Sequence, residues 1–332
     1  MGGQLGFMYR QLAFTPKPVA ESVKLNGQTA IVTGAGSIGS LGLEAAKEMT
    51  AHGLSRLIIA ARTVTKAEAA RQDVLEVSPS CVVEVWELDY ESYPSMKNFA
   101  RRAQMELDRL DIVVLSAGVK LLEYVKSKAG HEANVQVNHL GTAFLSLALL
   151  QPLQRTAKAV GSQTKMTIVT SEVHFWTKFN ERKAPHILDR MDDPGSFKKG
   201  NMDRYNASKL LNVLWLRELS DRAASSSRGV IINGVNPGLC ASSLHRSHQE
   251  VAVFNKMFAW SSEEGGHCLA DAALQHGEHG AYISEQVVKQ PSQFVLSPDG
   301  VETQKKIWEE TMAILREAVP DMDLGKGLDS SV

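Results

Sequence analysis

Short apolar runs alternate with longer stretches of helical periodicity along most of the chain. Seven of these runs predict buried strands, because they are short, apolar and bounded by turn residues. They lie at 28–33, 57–61, 81–88, 111–115, 165–170, 230–235 and 293–296. Helical patterns separate many of them, notably near 95–107, 133–150, 204–223 and 262–275. The alternation predicts an α/β fold, a doubly wound parallel sheet of about seven strands with helices on both faces.

Length and apolar content fit one large domain. The chain has 332 residues, 43% of them hydrophobic, which is enough to bury a sizeable core. We predict a peripheral N-terminal lead at 1–24 and a single domain at 25–332. The longest apolar stretch, 140–153, is interrupted by polar residues and is too short to span a bilayer. It predicts a buried helix and a candidate contact in a homodimer.

The charge balance argues against some classes of partner. Lys and Arg total 36 against 37 Asp and Glu, with no dense basic run, so we expect neither nucleic acid nor an anionic membrane as a partner. Cys81, Cys240 and Cys268 are widely separated, which suggests neither a disulfide framework nor a zinc site. His139 and His174 have no third ligand at metal-site spacing, so we expect no metal. These features and the lack of a signal-peptide pattern predict a cytoplasmic protein.

A glycine-rich turn follows the first predicted strand. The segment 34–42 contains four glycines and leads into a helical pattern that begins at Leu43. A strand, a glycine turn and a helix N-terminus form a site for a pyrophosphate, because glycine allows close approach and the helix end offers free N–H groups. Such turns also join a strand to a helix without binding anything, and that alternative stays open.

Two basic residues follow the second predicted strand. Arg62 stands at its end, and Lys66 lies one helical turn further on. In a dinucleotide-binding fold, an acidic residue here binds the ribose 2′-hydroxyl, whereas arginine accommodates a 2′-phosphate. The cofactor predicted is therefore NADP. The alternative is a solvated arginine that caps the next helix.

Tyr205 and Lys209 are spaced to share one face of a helix, because positions i and i+4 are neighbours there. A nearby ammonium stabilises phenolate and would lower the pKa of the tyrosine, making it a usable acid or base. The spacing alone also arises by chance on solvated helices.

These motifs and several others together resemble the short-chain dehydrogenases/reductases, from about Leu25 to the end. The positions that carry the resemblance are Thr33-Gly34, Asp89, Ser116-Ala117-Gly118, Asn138, Ser171, Tyr205, Lys209 and Asn236-Pro237-Gly238. Segments 137–144, 171–174 and 205–210 look like the retinol-dehydrogenase-like branch. The N-terminal lead and 291–308 look like reductases of fungal secondary metabolism. The resemblance implies a Rossmann-type fold.

The resemblance also implies a catalytic set. Tyr205 would donate a proton to the carbonyl oxygen, and Lys209 would lower its pKa and hold the nicotinamide ribose. Ser171 would polarise the same carbonyl, while Asn138 would bend its helix and retain a water that relays protons to Lys209. Taken singly, Ser171 could instead cap a strand end, and Asn138 could mark a helix irregularity.

The cofactor would lie along the carboxyl ends of the strands. The residues implied to bind it are Gly34, Ser37, Ile38, Gly42, Arg62, Lys66, Asp89, Ser116, Ala117, Gly118, Tyr205, Lys209, Pro237 and Gly238. Asp89 would contact adenine, with a helix cap as its alternative. Ile38 and Ser40 stand where the family has glycines, so the turn looks two residues longer and Gly42 becomes its last glycine. Ser116 replaces a common asparagine, which implies a modest loss of rigidity.

Two variable segments would define the substrate. The loop 172–203 carries an aromatic run at 174–179 with Met191, Phe197 and Met202 nearby. The segment 239–261 is predicted to fold as a lid, with aromatic residues up to Trp260. These walls favour a bulky hydrophobic ketone or alcohol, unless the aromatics only pack the loops. The sequence thus predicts an NADP-dependent oxidoreductase of secondary metabolism. The alternatives are an NADP-binding regulator without turnover and a retinol- or steroid-type dehydrogenase that works oxidatively.

Overall fold

A twisted sheet of eight strands forms the centre of the computed structural model, which describes residues 4–226, 229–242, 258–325 and 327–328. In chain order the strands are β1 Thr29–Thr33, β2 Arg56–Ala61, β3 Val82–Glu87, β4 Ile112–Leu115, β5 Thr164–Val169, β6 Val230–Asn236, β7 Tyr282–Ser284 and β8 Val287–Lys289. Their spatial order is β3-β2-β1-β4-β5-β6-β7-β8, and only the last pair is antiparallel. The predicted doubly wound α/β fold is confirmed.

Helices cover both faces of the sheet. They are α1 Gln4–Ala13, α2 Leu41–Ala51, α3 Val64–Val77, α4 Tyr93–Glu106, α5 Gly141–Ala148, α6 Leu150–Val160, α7 Ile187–Asp192, α8 Asp203–Ser226, α9 Ser262–Leu274, α10 Gln293–Leu296 and α11 Pro298–Ala318. One core cluster buries Leu43, Val74 and Leu269 from α2, α3 and α9. A second cluster buries Phe144 and Trp215 from α5 and α8. The sheet is therefore the middle of three layers.

The end of the sheet differs from the prediction. The run 293–296, expected as the seventh strand, is the short helix α10, because the Ser292 hydroxyl accepts a hydrogen bond from the N–H of Val295 and caps it. The last sheet positions belong to a hairpin of β7 and β8. Its two turn residues, Glu285 and Gln286, both have positive φ, at 48° and 56°. This combination is the backbone shape of a tight hairpin turn.

The sequence predicts a peripheral N-terminal lead. Its helix α1 instead packs against the main body of the protein. Phe7 and Gln11 are both buried. The Phe7 ring meets Trp176 edge-on at 5.2 Å between centroids, and the Phe14 ring meets Trp260 at 5.8 Å. Helix α1 therefore contributes to the surface beyond the carboxyl ends of the strands.

Thr33 joins the ends of the two central strands β1 and β4. Its hydroxyl oxygen accepts hydrogen bonds from the N–H groups of Ser116 and Ala117, at 3.0 and 3.1 Å. The buried Tyr90 hydroxyl donates a third bond to the same oxygen, at 2.9 Å. Here the strand order reverses direction, and open α/β sheets bind ligands at such a point.

Candidate active site

Two adjoining cavities lie at the carboxyl edge of the sheet. The larger has a volume of about 690 Å³ and the smaller about 320 Å³. They share five lining residues, namely Gly34, Ser40, Ala117, Gly118 and Val119. Together they form one continuous cleft from the end of β2 to the start of α8.

The glycine turn places backbone close to backbone at the middle of this cleft. Gly34 has φ +69°, and a Cβ there would lie 2.9 Å from the backbone of Ala117. Helix α2 begins at Leu41, so Gly42 lies in its first turn, where a Cβ would come within 2.9 Å of the Thr33 carbonyl oxygen. Gly42 therefore lets the helix N-terminus approach the strand end, which is the role of the last glycine in a dinucleotide-binding turn.

The smaller cavity collects the predicted cofactor residues of the first half of the sheet. Ser37, Arg62, Lys66 and Asp89 all line it. Arg62 and Lys66 are exposed, so their cationic groups stand at the rim. The predicted residue Ile38 departs from this set, because its side chain is 50% exposed and lies outside both cavity walls.

Tyr205 and Ser171 both line the larger cavity. Burial raises the pKa of Tyr205, and the neighbouring Ser171 hydroxyl opposes that rise. Ser171 also caps a 3₁₀ turn at Glu172–Phe175.

Lys209 lies one turn after Tyr205 on α8, with its side chain buried. Its Nζ donates to the Val169 carbonyl oxygen at 3.0 Å. Burial lowers the pKa of Lys209 from 10.5 to about 8. A Cβ added to Gly118 would lie 3.8 Å from this Nζ, so the loop after β4 approaches the ammonium closely.

Asn138 lies within a π-helical turn at Val135–Leu140, which is the local irregularity that the sequence led us to expect. Its side chain hydrogen-bonds the N–H and the carbonyl oxygen of Val119, at 2.8 and 2.9 Å. The same amide donates to the Ser208 hydroxyl at 2.9 Å, and that hydroxyl donates to the Tyr205 carbonyl oxygen at 2.7 Å. Asn138 thus connects the loop after β4 to the helix that carries Tyr205.

Asn236 supports the site and was missed as a functional residue in the sequence. Its Oδ1 accepts hydrogen bonds from the N–H groups of Glu172 and Gly238, at 2.9 and 3.2 Å. It therefore fixes the turn after Ser171 relative to the predicted cofactor residues Pro237 and Gly238, which line the larger cavity. Its position before that Pro-Gly pair was the only sequence signal for this role.

His174 has a neutral ring, which hydrogen-bonds backbone groups beneath the site. Its Nδ1 lies 2.6 Å from the Ser171 carbonyl oxygen, and its Nε2 accepts from the N–H of Ser292 at 3.1 Å. Burial lowers the pKa of His174 to about 4, and that of His139 to about 3. Both contacts of His174 require a neutral ring that is protonated on Nδ1. His174 is thus more than the packing residue predicted.

The remaining wall of the larger cavity is mostly apolar. It includes Phe7, Met8, Leu121, Val173, Trp176, Met202 and Leu239. Of the predicted wall residues, Trp176 and Met202 are present. Phe179 and Met191 instead pack in the protein core, because the chain after Trp176 turns inward. Phe197 packs on Tyr124, at 6.0 Å between ring centroids.

Most of the predicted lid 239–261 lies outside the described residues, including its apolar residues Phe254 and Met257. Its ends are described, and they pair with each other. The N–H of Trp260 donates to the Leu239 carbonyl oxygen at 2.9 Å, and the N–H of Ala241 donates to the Trp260 carbonyl oxygen at 2.8 Å. Trp260 is buried against α1, where its indole N–H donates to the Gln11 carbonyl oxygen at 3.0 Å.

The described ranges contain no group of three His, Cys, Asp or Glu side chains that could hold a metal ion. Within these ranges, every helix is too short or too polar to cross a bilayer.

Comparison with known proteins identifies the family. The model of the family described as short chain dehydrogenase matches residues 28–175. Short chain dehydrogenase sol3 of Alternaria solani is 60% identical over 289 residues, which are 86% of this chain and 99% of that protein. This chain is a short-chain dehydrogenase. Short-chain dehydrogenase fogG of Aspergillus ruber is 36% identical over 93% of this chain and 91% of its own.

Among solved structures, the Pseudomonas aeruginosa RhlG/NADP active-site complex has a TM-score of 0.62 at 19% identity. The match covers 80% of this chain and 97% of that one, and it shows the shared fold. Membership of the family makes this protein an oxidoreductase that acts on CH–OH groups and uses NAD or NADP.

Proposed function

We propose that this short-chain dehydrogenase uses NADP(H) to interconvert a bulky hydrophobic ketone and its alcohol, as a tailoring step of fungal secondary metabolism. The observation that carries the proposal is that Tyr205 and Ser171 line the same cavity, which has a volume of about 690 Å³ and a largely apolar wall. An acid next to an apolar cavity suits a substrate whose only reacting polar group is a carbonyl.

The cleft fits a dinucleotide. Backbone approaches that only glycine permits occur at Gly34 and Gly42, and they leave the N-terminus of α2 facing the cleft. Helix N-termini and glycine backbone bind pyrophosphate. The smaller cavity would hold the adenosine half beside Asp89, and the larger would hold the nicotinamide beside Pro237 and Gly238.

Arg62 and Lys66 favour NADP over NAD. Both line the smaller cavity and are exposed at its rim, where a 2′-phosphate would keep most of its hydration. An arginine binds phosphate through two parallel hydrogen bonds, and a lysine adds a second positive charge. NAD-binding sites of this fold have a carboxylate here that binds the ribose 2′-hydroxyl, whereas this chain has an arginine at position 62.

The chemistry assigned to the residues is the one that the resemblance to the family implies. When bound, NADPH supplies the hydride. Tyr205 donates the proton that the developing alkoxide requires, and Ser171 hydrogen-bonds the same oxygen. Lys209 would hold the nicotinamide ribose and supply positive charge, which would offset the rise in the pKa of Tyr205 that burial causes. Asn138 holds the loop that carries Gly118.

A direct assay tests the function. The purified chain is given NADPH or NADH and a series of aromatic and alicyclic ketones, and consumption of the reduced cofactor is followed by absorbance. We expect turnover with NADPH that increases with the apolar size of the ketone. Binding of NADP without turnover of any ketone or alcohol would instead support the non-catalytic regulator. Turnover of an alcohol with NADP⁺ that is faster at neutral pH than ketone reduction would support a retinol- or steroid-type dehydrogenase that works in the oxidative direction.

A further inference from the structure

We propose that the N-terminal helix α1 is a wall of the substrate cavity, and that Phe7 and Met8 on it determine which apolar ketones the enzyme accepts. The inference rests on the proposed function. It extends the substrate site to a segment that precedes the first strand by more than ten residues.

Helix α1 presents one face to the cavity. Phe7 is only 7% exposed, and both Phe7 and Met8 line the larger cavity. Elsewhere on the helix, Tyr9 is 71% exposed and Leu12 is 63% exposed. The apolar side chains that touch the cavity are therefore distinct from those that face solvent.

Phe7 and Trp176 form an aromatic corner of the cavity. Their ring centroids lie 5.2 Å apart and their planes are inclined by 78°. Trp176 belongs to the segment that follows Ser171, so the corner lies on the substrate side of the site. Two edge-to-face rings form a rigid apolar surface, and the flexible thioether of Met8 beside them can adapt to a substrate.

Gln11 fixes the helix to the end of β6. Its side-chain amide donates to the Leu239 carbonyl oxygen at 2.9 Å and accepts from the Leu239 N–H at 3.1 Å. Leu239 follows Gly238 and lines the same cavity. The indole of Trp260 adds a bond to the Gln11 carbonyl oxygen. The pairing uses both polar ends of a buried amide, so α1 has a defined position above the site.

Arg10 fixes the helix on the other side. Its guanidinium forms an ion pair with Glu172, the residue after Ser171, and a second pair with Glu285 at 3.4 Å. The Glu172 side chain is largely buried and lines the cavity. Helix α1 is therefore attached to the turn beside Ser171 as well as to Leu239, and it closes the space between them.

Four single substitutions test the inference. Phe7→Ala and Met8→Ala enlarge the wall, while Tyr9→Ala and Leu12→Ala alter the exposed face of the same helix. We compare kcat/KM with NADPH for a large ketone, acetylnaphthalene, and a small activated one, diacetyl. We expect Phe7→Ala to lower kcat/KM for acetylnaphthalene by about tenfold to hundredfold and Met8→Ala by a smaller factor, because they remove apolar contacts from the bound ring. Diacetyl turnover should change little in either variant.

Binding measurements separate this inference from the proposed function. Calorimetry measures the affinity of the NADP-loaded protein for acetylnaphthalene, independently of turnover, and thermal unfolding confirms that each variant is folded. If the wild type binds this ketone without reducing it and Phe7→Ala weakens binding, the proposed function is wrong. Helix α1 is then still a wall of the substrate cavity. If Phe7→Ala and Met8→Ala behave like Leu12→Ala in both assays, or if the wild type does not bind the ketone, α1 is not a substrate wall. Should Phe7→Ala fail to fold, Phe7→Leu with Met8→Ala decides between the same outcomes.

Discussion

The side-chain amide of Asn138 makes two hydrogen bonds to the backbone of Val119, which lies 19 residues earlier in the chain. It accepts from the Val119 N–H and donates to the Val119 carbonyl oxygen. The pair positions the loop after β4, where Gly118 approaches Lys209. Because the amide also donates to Ser208, one buried side chain links both halves of the candidate site.

Asn138→Leu should therefore affect stability and activity together. The substitution leaves the Val119 backbone groups and the Ser208 hydroxyl without their partner, and unsatisfied buried groups cost about 1–3 kcal/mol each. We expect a loss of at least about 2 kcal/mol in the free energy of unfolding and a large fall in kcat, measured by denaturant titration and steady-state assay. Asn180→Leu, at an exposed position, is the control. Wild-type kcat in a folded Asn138→Leu protein would refute the positioning role.

Tyr205→Phe tests the proposed proton donor. The substitution keeps the ring and removes only the hydroxyl, so kcat should fall by about 10²–10⁴ while the Kd for NADP changes little. Ser171→Ala should also lower kcat. It should shift the basic limb of the pH profile upward, since the neighbouring Ser171 hydroxyl lowers the pKa of Tyr205. Tyr9→Phe, on an exposed side chain, is the matched control. Activity within a few-fold of wild type in Tyr205→Phe would rule out this acid.

The main strands were predictable from sequence because each is a short, mostly apolar run. The bounds of β1 to β6 all fall within one residue of the predicted runs. Strands β7 and β8 have only three residues each, which is too short for a periodic pattern to show. The run 293–296 misled the prediction, since apolar content does not distinguish a strand from a capped helical turn.

Chain order explains what could be predicted of the site. Parallel strands end at one edge of the sheet, so residues that follow strand ends could be placed together without a structure. The pairing of Gln11 with Leu239 joins positions 228 residues apart, and no local pattern encodes such a contact. For the same reason, the burial that raises the pKa of Tyr205 became visible only in the folded chain.

Lys209 should make stability depend on pH in a defined window. Its pKa is about 8 in the folded protein, below the ordinary value of 10.5, so the unfolded chain binds more protons between these values. Stability from this residue therefore rises as pH increases from about 8 to 10.5. Lys209→Met should remove that rise, which urea titrations at neutral and alkaline pH would reveal. Lys178→Met, at an exposed position, controls for the loss of one positive charge. Identical pH dependence in wild type and Lys209→Met would contradict the assignment.

Arg62→Ala tests the cofactor preference. If its guanidinium binds the 2′-phosphate, the substitution should weaken NADP binding by about 1.5–3 kcal/mol, the range for a hydrogen bond to a charged group. NAD lacks that phosphate, so its affinity should hardly change. Lys66→Ala should have a smaller effect of the same kind. Arg71→Ala is the matched control, because Arg71 lies on α3, the helix that carries Lys66, and pairs with Glu68. Calorimetric titration with both dinucleotides measures these differences. An equal loss for NADP and NAD would show that Arg62 does not recognise the phosphate, and the preference would then have to come from another part of the cleft.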